Sequence, residues 1–450
     1  MRTPANAVSI DEKLDIIPGT IYGMQHVLVM YAGAVTIPLI IGGALQLSTE
    51  EIALLINADL LCCGIISIVQ ALGIGRFIGI RLPVMMGVSF AGVAPMIAIG
   101  LSPELGLPGL YGAIIAAGFI CMLLVPLFVR SLWVFPPVVT GTTLIALGVS
   151  LFGVAVTWAG GGYGAEDFGS PRNILVALAV LGTTLFVSKY VKGFLRNISI
   201  LVGLIVGTVI AYAIGMIQVG SLAHIPWIQV VRPFQFGFPT FELSAILTMV
   251  LVVIITMVEA IGLLYSLSII LNKPLSRDHF TRGLRADALG ATLGGIFNTF
   301  PYTTYSQNIG LIGITGIRSR YVCVYAGIIL MALALFPRLA YFIALIPYPV
   351  LGGVALVMFG MVAASGGRLI QEVDFTNNIH NMFVFGISLG VGLIPTVSPN
   401  FFQFVPEFFT PLVKSGVLLT MLSAISLNLF FNGIPPKAVR EGNIGLSSAT

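Results

Sequence analysis

Apolar residues run in long stretches along this chain, such as Leu243 to Ser268 and Val322 to Phe336, with short polar breaks between them. A bilayer core takes about 20 apolar residues in a straight helix, so these runs read as spanning helices. The pattern predicts fourteen segments, at 19–41, 50–73, 83–99, 109–128, 136–156, 172–189, 197–217, 243–270, 286–297, 300–315, 322–336, 341–365, 379–396 and 414–432. Several of them are short, or broken by Gly and Pro.

Charge orients the set. Starting with the amino terminus in the cytoplasm and alternating sides, all of the 21 basic residues except Arg172, Arg232, Arg338 and Lys414 fall on the inner face, as the positive-inside rule requires. An odd number of segments would destroy that sorting. Met1 to Pro18 carries Asp11, Glu12 and Asp15 in place of an apolar signal core, which makes the first helix an expected uncleaved anchor. Both termini are expected in the cytoplasm of a bacterial-type inner membrane.

The run Pro137-Val138-Val139-Thr140-Gly141 through Gly148 matches Pro349-Val350-Leu351-Gly352-Gly353 through Gly360 at a constant offset of 212 residues. Two copies of seven segments follow from this. Because seven is odd, the second copy is inserted upside down, the inverted repeat common among secondary transporters. A shared packing motif of small residues at helix contacts is the other reading.

Under the repeat, segments three and ten correspond, and both are irregular. Pro83 to Pro95 is broken by Pro and Gly, and Asn298 to Gly310 is polar where a lipid-facing span is apolar. Interrupted segments in matching positions point to a binding site. Backbone away from helical pairing survives at membrane depth only beside protein or a water-filled cavity. The expected fold is therefore all-α and polytopic, with short extended stretches in segments 3 and 10.

Composition agrees with lipid as the main solvent: 57% of residues are hydrophobic and 8% charged, with a mean hydropathy of +1.05. A water-soluble globule of this length needs far more polar surface. Cys62, Cys63, Cys121 and Cys323 all lie in apolar runs and read as small hydrophobes rather than disulfides or metal ligands. The net charge of +4 records orientation, and no nucleic-acid partner is expected. No cofactor or metal site is expected, and no nucleophile-base motif suggests an enzyme.

Three carboxylates lie in apolar stretches: Asp59, Glu259 and Asp287. Placing such a charge at mid-bilayer costs at least roughly 2.5 kcal/mol on insertion scales, so it normally faces a cavity or a partner. Glu259 is the strongest candidate, mid-span with no basic residue nearer than Lys273 on its own helix. Asp287 is read at the start of its helix beside Arg285, where either function or the helix dipole explains it. Asp59 is read as a structural hydrogen-bonding group. His26, after Gln25, is the one mid-membrane histidine, and the pair suits tying one helix to the next.

Gln307-Asn308-Ile309-Gly310-Leu311-Ile312-Gly313-Ile314-Thr315-Gly316, followed by Ser319-Arg320, resembles the signature of the nucleobase-ascorbate (nucleobase:cation symporter-2) transporter family. Gln25-His26, Glu259-Ala260-Ile261-Gly262 and Asp287 match family positions as well, and the resemblance covers essentially the whole chain. It implies a dimeric, elevator-like symporter. Its core would be residues 1–132 and 242–340, its gate 133–241 and 341–435, and 436–450 a cytoplasmic tail. It further implies that Glu259 and Gln307 bind the nucleobase, with backbone amides near Phe90 and Ser306, and that Asn308, His26, Gln25 and Asp287 support or couple the site.

The chemistry suits that assignment. A purine or pyrimidine dione offers alternating N–H donors and C=O acceptors on a flat ring, so a carboxylate, an amide, free backbone N–H groups and an aromatic face such as Phe90 are fitting partners. A membrane-buried Glu259 suits proton coupling in preference to sodium. The family resemblance favours a xanthine or uric acid carrier, because the His that follows the Glu in uracil carriers is missing and Gln307 precedes Asn308. Ser89 either leaves room for the extra carbonyl of uric acid or is an ordinary small packing residue. A uracil symporter, a sulfate-type anion carrier and a channel are the competing classes.

Overall fold

The computed structural model describes residues 9–217 and 225–435. The expected tail at 436–450 lies outside the described residues. In chain order the helices and strands are α1 Ile16–Ala44, α2 Thr49–Leu72, β1 Met86–Val88, α3 Val93–Gly100, α4 Gly106–Arg130, α5 Pro137–Ala159, α6 Pro171–Tyr190, α7 Phe194–Asn197, α8 Ser199–Ala213 and α9 Leu243–Leu271. There follow α10 Arg277–Ile296, β2 Tyr302–Thr304, α11 Ser306–Thr315, α12 Tyr321–Leu333, α13 Pro337–Ala344, α14 Tyr348–Ile370, α15 His380–Val397, α16 Thr410–Val413 and α17 Gly416–Asn432.

Among the described residues, eight helices are long and apolar enough to cross a membrane, or nine if α12 and α13, bent by 84° at their junction, count as one span. The expected segment at 341–365 is divided: Tyr341 to Ala344 close α13, and α14 starts afresh at Tyr348. Pro347 is the physical reason, since it has no N–H to donate and disfavours helical backbone in the residue before it. The expected segment at 286–297 begins earlier, at Arg277. There Ser276 and His279 form a reciprocal cap that outweighs the polarity of the first turns. Asp287 consequently sits inside α10 and not at a helix start, which removes the dipole explanation for it.

Two sets of helices pack chiefly among themselves: α1, α2, α4, α9, α10, α12 and α13, and α5, α6, α8, α14, α15 and α17. Within the second set, α5 and α14 approach closely and run antiparallel. A Cβ on Gly148 would lie 2.5 Å from the Ala363 nitrogen, and one on Gly141 would lie 3.0 Å from the Gly366 carbonyl oxygen. Small residues let the backbones meet, with dispersion as the reward. The two matching runs of the sequence thus share one interface.

The first set encloses the irregular segments. The strands β1 and β2 pair antiparallel, with Met86 opposite Thr304, Gly87 opposite Thr303 and Val88 opposite Tyr302. The pairing gives most of this non-helical backbone its hydrogen bonds, as burial demands. It extends beyond the strands, since Ser89 N donates to Pro301 O at 2.9 Å and Tyr305 N donates to Met85 O at 2.9 Å. Gly87 is required at the crossing, because a Cβ there would collide with the ring of Tyr305.

Candidate functional site

Segments three and ten cross at the β pair, and each continues directly into a helix. After β1 come Ser89 and a helical turn at Phe90–Gly92 leading into α3; after β2 come Tyr305 and α11, which starts at Ser306. Tyr305 gives α11 no side-chain cap, whereas the first N–H groups of any helix have no partner inside it. The crossing therefore presents a helix start carrying Ser306, Gln307 and Asn308.

Glu259 reaches this point from α9. Its carboxylate Oε2 accepts a hydrogen bond from Ser89 Oγ at 3.2 Å, and Ser89 Oγ also accepts from the Ala91 N–H at 3.2 Å. The hydroxyl is thereby held between helix start and acid. Ser306 Oγ donates to the Gln307 side-chain Oε1 at 3.2 Å, and both residues retain solvent-accessible surface while Asn308 is buried. A half-buried Gln beside an exposed Ser leaves donors and acceptors for a ligand.

Asn308 ties α11 to α1. Its Nδ2 donates to the His26 carbonyl oxygen at 2.9 Å and lies 3.1 Å from His26 Nδ1. Gln25 is half-buried on the same helix, and none of the side-chain hydrogen bonds among the described residues ties it to the site. Asp287 is buried, and its Oδ1 accepts from Gln70 Nε2 at 3.3 Å. Gln70 in turn accepts the Ile80 N–H at 3.0 Å. The Asp287 side chain is thus oriented by α2 and not by Arg285.

Two contributors escaped the sequence reading. Phe359 on α14 is fully buried and meets Phe90 edge-on, with ring centroids 5.4 Å apart and planes at 78°. It is the side of the site supplied by the second helix set, and no one-dimensional signal marks it out from other apolar residues of α14. Gln70 carried a usable signal: Asp59, Cys63, Ser67 and Gln70 recur at helical spacing in an otherwise apolar run. A cavity of about 320 Å³ between Trp133, Asp374 and Asn432 involves none of these residues.

A body of membrane-length helices around a discontinuous, polar crossing defines a multi-pass membrane transporter. A family profile described as the Permease family matches residues 19–401. The uric acid transporter UacT of Escherichia coli (strain K12) is 47% identical over 413 residues, covering 92% of this chain and 86% of that protein. The nucleobase transporter PlUacP of Paenibacillus larvae subsp. larvae is 44% identical over 409 residues, 91% of this chain and 93% of that one. A xanthine permease of Bacillus subtilis (strain 168) is 41% identical over 410 residues, again 91% and 93%. The chain belongs to this permease family, the nucleobase-ascorbate transporters, whose members are carriers and not enzymes. Its fold is also that of the transmembrane domain of the cyanobacterial bicarbonate transporter BicA, with a TM-score of 0.61 at 15% identity over 93% of this chain and 100% of that one. Murine Slc26a9 in the inward-facing state gives 0.59 at 12% identity, over 93% and 69%.

Proposed function

We propose that the protein takes up a purine nucleobase, xanthine or uric acid, across the bacterial plasma membrane in symport with protons. The observation that carries this reading is the contact between Ser89 and Glu259 at 3.2 Å, beside Phe90 and the open start of α11. A carboxylate acceptor, the Gln307 amide, uncapped N–H groups and an aromatic face together complement the edge and plane of a dione. The names and identities of the relatives point to the same substrates.

The acid also suits coupling. A carboxylate inside a membrane protein needs a partner for its charge, so in this reading Glu259 carries the coupling proton and exchanges it against a ligand donor. In this reading the protein is a homodimer, each protomer built of two inverted seven-segment repeats, with both termini cytoplasmic. The set containing α9 and α10 carries substrate past the set containing α5 and α14. The antiparallel approach of the two matching runs and the separate packing of the two helix sets support that division. Gln25, Asp287, Asn308 and His26 then act around the ligand, as support or in coupling.

Uptake of radiolabelled xanthine into transporter-deficient bacterial cells tests the proposal, with unlabelled uric acid, xanthine, hypoxanthine, uracil and sulfate as competitors. Accumulation that is blocked by xanthine or uric acid and collapses with the pH gradient is expected. Uptake that follows an imposed sodium gradient, or competition by uracil or sulfate alone, refutes it.

A further inference from the structure

One buried acid has no part in the proposed chemistry. Asp59 on α2 is 1% exposed. Its Oδ1 accepts from the Tyr302 hydroxyl at 2.8 Å, from Cys63 Sγ at 3.4 Å and from Thr299 Oγ1 at 3.5 Å. An apolar side chain of similar volume would pack there without the desolvation cost of an acid. An acid at this position is explained if it holds something in place.

What it holds is β2. Tyr302 opens that strand and pairs with Val88, the residue before Ser89, while β2 runs on through Tyr305 into Ser306 and Gln307. Further along the same face of α2, Ser67 Oγ accepts the Met86 N–H at 2.9 Å, which secures β1. Gln70 Nε2 lies 3.7 Å from Met86 Sδ. Spacings of four, four and three put Asp59, Cys63, Ser67 and Gln70 in one stripe, so a single rigid helix fixes one strand at each end of the stripe. The β pair itself has only three residues per strand. A two-stranded pair so short is not stable by itself.

We propose that Asp59 is a positioning residue. Through the Tyr302 hydroxyl it sets where β2 lies against β1, and with it the separation between Ser89 and the Ser306–Gln307 helix start. Asp59 touches no ligand in this scheme. Its effect on uptake rests on the nucleobase reading above, whereas its effect on the strands does not.

The test compares Tyr302→Phe, Asp59→Ala, Asp59→Asn and the double variant Asp59→Ala/Tyr302→Phe. Three quantities are measured: protein in the membrane, xanthine uptake kinetics, and amide hydrogen exchange of residues 86–90 and 302–308 in purified protein without substrate. Tyr302→Phe and Asp59→Ala are expected to raise the apparent KM about tenfold at unchanged protein level, and to speed exchange in both segments. Asp59→Asn keeps an acceptor oxygen and is expected to stay within about twofold of the parent. The double variant is expected to be less than additive, since both changes delete the Tyr302–Asp59 bond. Tyr302→Phe, which removes one hydroxyl, carries the test if Asp59→Ala does not accumulate. Unchanged KM and exchange in Tyr302→Phe overturn the proposal, as does an additive double variant. If the parent protein itself fails to take up xanthine, the functional reading falls, and exchange alone decides the role of Asp59.

Discussion

Ser89 and Glu259 are 170 residues apart in the chain, yet Ser89 Oγ donates to Glu259 Oε2 across 3.2 Å. The contact joins the turn after β1 to the middle of α9. Replacing Glu259 with Gln keeps the shape and removes the anionic acceptor. Hydrogen bonds to charged groups contribute about 1.5–3 kcal/mol, and in the proposed symport the coupling proton would lose its carrier as well. Glu259→Gln is expected to abolish xanthine accumulation at normal membrane levels, measured by initial uptake rates and immunoblot.

In the proposed site, Ser89 is placed to bear on selectivity. A Ser89→Asn side chain would fill the space before Phe90 and offer a new donor, and one mismatched contact in a pocket shifts preference by about 1–3 kcal/mol. The ratio of xanthine to uric acid inhibition constants is expected to change roughly tenfold or more. An unchanged ratio would mean that Ser89 serves packing alone.

The Phe90–Phe359 pair spans the two helix sets. Such edge-on pairs contribute about 0.5–1.5 kcal/mol beyond their burial. Phe359→Leu keeps most of the volume and loses the ring. It is expected to raise the apparent KM for xanthine several-fold and to admit bulkier purines as inhibitors, read from competition assays with alkylated xanthines.

Asn308→Ala would leave the His26 carbonyl and ring nitrogen without their present partner. A buried polar group stripped of its hydrogen bond costs about 1–3 kcal/mol. The thermal midpoint of the detergent-solubilised protein should fall by a few degrees, with a matching drop in uptake. An unaltered midpoint would show that α1 is held to α11 by other contacts.

Gly148 lies where α5 meets α14, and a Cβ there would come within 2.7 Å of the Phe359 carbonyl oxygen. Gly148→Val must force the helices apart, and overpacking typically costs about 1–3 kcal/mol. Size-exclusion profiles should show loss of the monodisperse peak. Gly182→Ala is the matched control, since a Cβ at Gly182 meets nothing within 4 Å.

The chain's class was legible in one dimension because lipid imposes it locally: lipid-facing residues must be apolar and the spanning backbone self-satisfied, so hydropathy, Gly and Pro register directly in the sequence. That is why the long helices and the two irregular segments could be marked from Pro83 to Pro95 and from Asn298 to Gly310. Glu259 stood out for the same reason, as a charge where lipid permits few. Helix ends were less legible. The Ser276 cap that starts α10 early and the prolines that split α13 from α14 act through local geometry that hydropathy averages away. Only the tertiary structure decided partnerships: Ser89 with Glu259, Asn308 with His26, Asp59 with Tyr302, Gln70 with Asp287, Phe90 with Phe359. Each depends on which helix faces meet, and that is settled by side-chain packing between segments distant in sequence, a property no stretch of the chain carries alone.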